Sequence, residues 1–209
     1  MNKTKIAVEI FDRRANDYQE RFMDFDLYND TFDLFCSHIT KNSAELLDVA
    51  CGPGNITKYL LKQKPDLKIL GIDLALKMLE LAQENNPSAE FKEMDCRNID
   101  SLNKKFDAIM CGFCLPYLTK EEAIDLIRNS SELLKKGGLL YISTMEDDYE
   151  KSGLKKSSDG KDEMFIHYHQ ADYLQEALQN NGFSLIYTER KAFPEAETMD
   201  LVLIAKKFD

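Results

Sequence analysis

Asp48-Val-Ala-Cys-Gly-Pro-Gly54 stands between a short apolar run and a stretch with helical spacing. Gly52 and Gly54 let the backbone turn sharply and approach a ligand closely. A helix starting near Asn55 aims its free amides at the same place. Asp73 ends the run "LKILGID", about 20 residues after the glycines, where a carboxylate accepts both hydroxyls of a ribose. Asp95 ends a third run, "AEFKEMD", and is followed by Cys96. A carboxylate there accepts from an exocyclic amine, and the next backbone amide reaches a ring nitrogen. "FDAIM" then opens into the glycine-containing apolar loop "CGFCLPYL". Together these describe a nucleoside site with no evident place for a phosphate. Any one of the aspartates can equally cap the next helix, Asp95 most readily; three features in register at strand ends favour the site.

The elements that must hold these residues follow from the alternation of short apolar runs with amphipathic stretches from residue 44 onward, the pattern of βα units around a mainly parallel sheet. Strands are expected near 45–49, 68–72, 89–94, 106–110, 137–144, 183–190 and 199–206, with helices near 55–63, 75–85, 120–135 and 170–181. The helix "ALKMLELAQEN" turns Leu76, Met78 and Leu79 inward and stops before Pro87. In "LLKKGGLLYIST", Gly137 is expected to close a helix in the left-handed conformation. The last two strands are too close in sequence for a crossover helix and pair antiparallel. The polar segment 146–163 reads as a mobile surface loop. In the first 43 residues, Phe11, Ala15, Tyr18, Phe22 and Phe25 share a helical face, which predicts a helical cover over the ligand edge, part of the same domain as residues 44–209.

With 209 residues and 44% apolar composition, one substantial core is affordable. A formal charge of -10 repels phosphate backbones and anionic membranes. Neither a signal-like apolar core near the N-terminus nor a membrane-length apolar run is present, and the five cysteines are an odd number. The expectation is a cytoplasmic protein with reduced thiols, acting on a small molecule, with no nucleic acid, membrane or metal partner and the oligomeric state open.

The stretches "LLDVACGPGNITKYL", "GIDLALKMLELA", "EMDCRNI", "FDAIMCGFCLPYL" and "LLKKGGLLYIS" resemble the ordered motifs of the class I S-adenosylmethionine-dependent methyltransferases over about residues 44–145. The resemblance implies a doubly wound, Rossmann-like three-layer α/β sandwich, its seven-stranded mixed sheet carrying the antiparallel last strand between the fifth and sixth. It implies S-adenosylmethionine as cofactor, with Gly52 and Gly54 cradling the methionine part and Asp48 nearby. Asp73 matches the ribose-binding acid, Asp95 the adenine-amine acceptor and Cys96 its neighbouring main-chain donor, with Leu74 and Met94 lining the adenine and Cys111 beside the cofactor. The family usually has glycine where Ala50 stands, so Ala50 is expected to keep a negative φ.

A nicotinamide dinucleotide fingerprint wants a third glycine at the position of Thr57, and Asp48 would repel a pyrophosphate. Cys111-Gly-Phe-Cys114 has dithiol spacing without a second pair for zinc, which favours packing, and Gly112 and Cys114 are candidates to face the reacting methyl. A cofactor-binding sensor that transfers nothing is the alternative outside catalysis. Phe11, Asp12, Ala15 and Tyr18 resemble the "FDxxAxxY" helix of small-molecule members, whose tyrosine lies near the methyl. Tyr18 and His167 are accordingly the catalytic candidates, and Tyr28, Tyr117 and His169 the substrate-binding ones; His167 and His169 share a side if that segment is extended.

Overall fold

The computed structural model describes residues 3–157, 159–194 and 198–208. Three helices come first, α1 (Lys3–Arg13), α2 (Ala15–Phe22) and α3 (Asn29–His38). Then follow β1 (Glu45–Val49), α4 (Asn55–Gln63), β2 (Lys68–Asp73), α5 (Leu76–Asn85), β3 (Glu90–Glu93), β4 (Phe106–Gly112), α6 (Lys120–Leu133) and β5 (Leu134–Glu146). A hairpin, β6 (Gly153–Lys156) and β7 (Glu163–Ile166), precedes α7 (Ala171–Asn180), β8 (Phe183–Ala192) and β9 (Met199–Lys207).

The main sheet has the order β3-β2-β1-β4-β5-β9-β8. The pairs β1–β2, β2–β3, β1–β4 and β4–β5 are parallel, while β9 runs antiparallel between β5 and β8. This is the doubly wound, seven-stranded mixed sheet that the motifs imply, with strand order reversing between β1 and β4. Central strands are buried on both faces, and so Leu46-Leu47-Asp48-Val49 reads as a run rather than an alternation. One face packs Leu47, Val49, Ile109 and Ile142 against α6 and α7. The other packs Leu46, Met110, Tyr141 and Ile204 against α3 and α4. The edge strand β8 is mostly exposed and carries Glu189-Arg190-Lys191, charges that discourage further strand pairing.

Helix α6 starts on a full capping box: the Thr119 hydroxyl accepts from the amide of Glu122 while the Glu122 carboxylate accepts from the amide of Thr119. It stops two residues before the expected end. Lys135 is already in β5, bound to Asp107, and Gly137 takes its positive φ inside that strand, where the pairing with β4 jumps in register. Leu76, expected to face inward, is 51% exposed; Met78 alone of the expected trio is buried. The segment expected as a mobile loop contains β6, and its tip is tied to the α1–α2 junction. Arg14 Nε donates to Asp162 at 2.8 Å and Nη2 to Asp159 at 2.9 Å, and Arg13 also pairs with Asp162. Its run of charges, which reads as solvated in isolation, has complementary charges waiting on another element.

The first two helices lie on α5, where Ala15, Val8, Phe11 and Tyr18 meet Ala75 and Met78. No helix among the described residues is long and apolar enough to cross a membrane.

Candidate functional site

Past Val49 the chain crosses the carboxyl edge of the sheet in a series of left-handed residues: Ala50 (φ 55°), Gly52 (φ 54°) and Gly54 (φ 77°). Glycine takes this conformation without strain, and Gly54 has a second reason. A side chain on it would start 2.4 Å from the Asn86 amide nitrogen and 3.2 Å from the backbone of Ala82 in α5. Ala50 overturns its expectation. It stands left-handed where a glycine would carry no penalty, at a cost of about 1–2 kcal/mol.

Asp73 ends β2 directly beside this turn. One carboxylate oxygen accepts from the amide of Gly52 and the other from the amide of Ala75, each at 2.9 Å. The amide of Leu74 also favours the Asp73 anion, and of the about four acceptor sites of a carboxylate at least one remains for a hydroxyl. Burial raises its pKa against these amides, which favour the anion.

Asp95 is engaged differently. It caps the 3-10 turn Cys96–Ser101 by accepting from the amide of Arg97 at 3.0 Å, and the Arg97 guanidinium grips both its oxygens, Nη2 to Oδ2 at 2.6 Å. Burial would raise this carboxyl, but Arg97 outweighs it and holds it below the ordinary value. An adenine amine at Asp95 therefore competes with Arg97. The same guanidinium reaches Thr4 of α1 at 3.0 Å and Glu122 of α6 at 3.1 Å.

Between these loops and α1 lies a cleft with an empty volume of about 860 Å³, open solvent at its mouth included. It brings together Tyr18, Ala50, Gly52, Asp73, Leu74, Met94, Asp95, Cys96 and Tyr117 of the sequence candidates, with Gly112 and Cys114. Its walls are mainly apolar. Burial, then the charge of Asp73, pushes Tyr18 up to about 12, which favours the protonated phenol. Burial likewise raises Tyr117. Cys96 and Cys114 touch at 3.6 Å between sulfurs, and the contact together with burial keeps the Cys96 thiol protonated.

The other candidates do not line this cleft. Asp48 is buried beneath the turn, where Thr57 Oγ1 donates to it at 2.6 Å; burial pushes it up to about 7. Gly54 serves the α4–α5 contact. Cys111 is buried in the core on the α6–α7 face, in the same cluster as Cys114. Tyr28 packs 5.0 Å from Phe113 between ring centroids and donates to buried Asp200 at 2.5 Å. His167 and His169 lie behind the 115–118 wall. The amide of His167 donates to Pro116 O at 2.8 Å, and its ring sits 3.2 Å from the Tyr149 hydroxyl. His169 meets Leu115 O at 2.8 Å and the Tyr173 hydroxyl, and burial lowers it to about 4. Neither histidine is poised for proton transfer in the cleft.

Arg97, Phe113 and the α1 face of Thr4, Ala7 and Val8 line the cleft without having been singled out. The α1 residues follow helical spacing, but nothing local says which surface they cover. Phe113 carries a legible signal only in three dimensions: a bulky residue at φ 55° right after β4, its amide held by Ser143.

A family model described as a methyltransferase domain matches residues 46–138. The demethylmenaquinone methyltransferase of Thermotoga maritima is 30% identical over 141 residues, which cover 66% of this chain and 61% of that protein. The chain spans 36%, 61% and 37% of the length of three of the curated relatives it matches. Among solved structures, magnesium protoporphyrin IX methyltransferase from Synechocystis with bound SAM superposes with a TM-score of 0.75 at 17% identity, covering 99% of this chain and 98% of that one. The 1,6-didemethyltoxoflavin-N1-methyltransferase of Burkholderia thailandensis, solved with 1,6-didemethyltoxoflavin and S-adenosylhomocysteine, gives a TM-score of 0.75 at 21% identity, covering 99% and 89%. At such identities these two likenesses speak for the fold.

Proposed function

We infer, for a chain whose residues 46–138 belong to the methyltransferase-domain family and whose fold is that of the class I S-adenosylmethionine-dependent enzymes, that it transfers a methyl group to a small-molecule acceptor. The observation that carries this reading is Asp73. It closes β2 beside the left-handed turn, accepts one hydrogen bond from the amide of Gly52 and one from that of Ala75, and lines the cleft.

The residues present suit the cofactor. Gly52 allows close approach of the methionine part, Asp73 takes the ribose hydroxyls, and Leu74 and Met94 offer apolar walls for the adenine beside the Cys96 amide. When bound, S-adenosylmethionine would supply an electrophilic methyl carbon on a cationic sulfur, with S-adenosylhomocysteine as the leaving product. The chain's own part is to align the partners and exclude water. Val8 and Phe11 of α1 and Tyr117 close the cleft, and Tyr18 holds a neutral hydroxyl there.

Calorimetric titration with S-adenosylmethionine, S-adenosylhomocysteine and NAD tests the reading. Micromolar affinity for the first two, lost in Asp73→Ala, supports it, and release of S-adenosylhomocysteine in an acceptor screen completes it. Binding without release from any acceptor favours a sensor, and preferred NAD binding overturns the reading altogether.

A further inference from the structure

A second cavity, with an empty volume of about 710 Å³, lies between the α2–α3 connection and α4. Phe22, Phe25, Phe32 and Tyr59 present aromatic rings to it, and Ile56 lies on its wall. It is separate from the cofactor cleft but adjoins it at two places. Phe22 faces the cavity and also rests on Tyr18, ring centroids 4.5 Å apart, while Tyr18 faces the cleft. Ile56 faces the cavity, and its Cδ1 fills the space where a side chain on Gly112, at the cleft, would begin, 2.3 Å from that point. Two apolar side chains, Phe22 at the end of α2 and Ile56, therefore stand between the spaces.

The rim is as informative as the walls. Lys58 and Lys62, one turn apart on α4, both line the cavity, with Asp24 opposite. Among the described residues neither lysine has an ion-pair partner, although the chain carries ten more acids than bases. Asp33, close by, is engaged by the Tyr59 hydroxyl at 2.8 Å. Among the lining residues two lysines stand against one carboxylate, one net positive charge at the mouth in a strongly negative molecule, and a flat apolar body with one negative group fits this lining.

We propose that this cavity receives the methyl acceptor, and that the acceptor is an aromatic anion whose negative group is met by Lys58 and Lys62. The proposal rests on the methyltransferase reading and adds to it a chemical class of substrate. It also explains why aromatic residues continue past Tyr18 into Phe22 and Phe25, beyond the edge of the cofactor cleft.

The test is calorimetry in saturating S-adenosylhomocysteine, comparing 2-naphthoate with its neutral isostere 2-naphthamide. The wild type is expected to prefer the carboxylate at least fivefold, and Lys58→Gln/Lys62→Gln to reduce that preference below twofold while its affinity for S-adenosylhomocysteine stays within twofold of wild type. Absence of naphthoate binding, equal affinity for the two probes, or a preference that survives the double substitution overturns the proposal. Competition between naphthoate and S-adenosylhomocysteine also overturns it, by locating the probe in the cofactor cleft. Failure of S-adenosylhomocysteine to bind, read in a separate titration, removes the methyltransferase reading and the acceptor role with it.

Discussion

The amide of Gly52 donates to Asp73 Oδ2 at 2.9 Å and so joins the turn after β1 to the end of β2. The same carboxylate fixes the start of α5 through Ala75. One side chain thus positions two of the loops that line the cleft and still faces it. Asn at this position keeps the shape but has one acceptor oxygen, so either Gly52 or Ala75 loses its partner, at about 1–3 kcal/mol. Asp73→Asn is expected to weaken S-adenosylhomocysteine binding at least tenfold by calorimetry and to lower Tm by several degrees. Unchanged affinity would remove Asp73 from the cofactor site.

Asp48 and Thr57 make a pH-dependent pair beneath the turn. Burial raises the Asp48 carboxyl to about 7, well above its unfolded value, so the folded chain holds a proton that the unfolded chain has released. Stability therefore falls as pH rises from about 4 to about 7, and the loss is complete above that range. Asp48→Asn removes the titrating group. The variant is expected to gain on wild type in Tm as pH is raised from 5 to 8.5, on a scale of a few kcal/mol. A Tm difference independent of pH would show that Asp48 is ionised at neutral pH in the fold.

The strand ends were the legible part of this molecule, because continuous apolar runs such as Leu46–Val49 and Phe106–Met110 identify central parallel strands and so fix which residues stand at the carboxyl edge. Asp73 and Asp95 were found that way. What Asp95 does was not legible, since the competing Arg97 is a neighbour that also reaches Thr4 and Glu122, contacts that depend on α1 and α6 folding over it. The histidines misled for a related reason. An extended segment puts His167 and His169 on one side, but β7 and the following bridge to Glu146 turn that side toward the back of the 115–118 wall. The hairpin tip reads as a surface loop in the sequence because Arg13 and Arg14, its partners, lie about 150 residues away.

Ala50 offers a gain in stability. Its φ of 55° carries strain that glycine does not have, partly offset by the extra freedom glycine has when unfolded. Ala50→Gly is expected to stabilise the fold by about 0.5–1 kcal/mol, which for a domain of this size raises Tm by about 1–4 °C. Affinity for S-adenosylhomocysteine should stay within twofold, because the backbone already has the shape that glycine favours. A lower Tm would mean that the Ala50 methyl group contributes more by packing against its neighbours than its conformation costs.

Arg14 ties the end of the helix that walls the cleft to the hairpin tip, which makes the hold on that wall testable. Thr4, Ala7, Val8 and Phe11 of α1 form one wall, and the C-terminal end of α1 is tied down by Arg13 and Arg14 to Asp162, with Arg14 also on Asp159. Burial works against ionisation of Asp162, yet the two arginines hold its pKa below the ordinary carboxylate value. A depressed carboxyl contributes its stabilisation above the unfolded pKa and loses it as pH falls through the folded one, so the tie is intact at neutral pH and fails in acid. Arg14 is half-buried, so salt also weakens it. If S-adenosylhomocysteine leaves by the lifting of α1, its dissociation rate in wild type should rise as salt is raised from 50 to 500 mM. Arg14→Met should dissociate about fivefold faster at low salt and respond little to added salt. Stopped-flow displacement measures both. Equal rates in the two proteins would instead place the hold on α1 in the packing of Val8 and Phe11 against Ala75 and Met78.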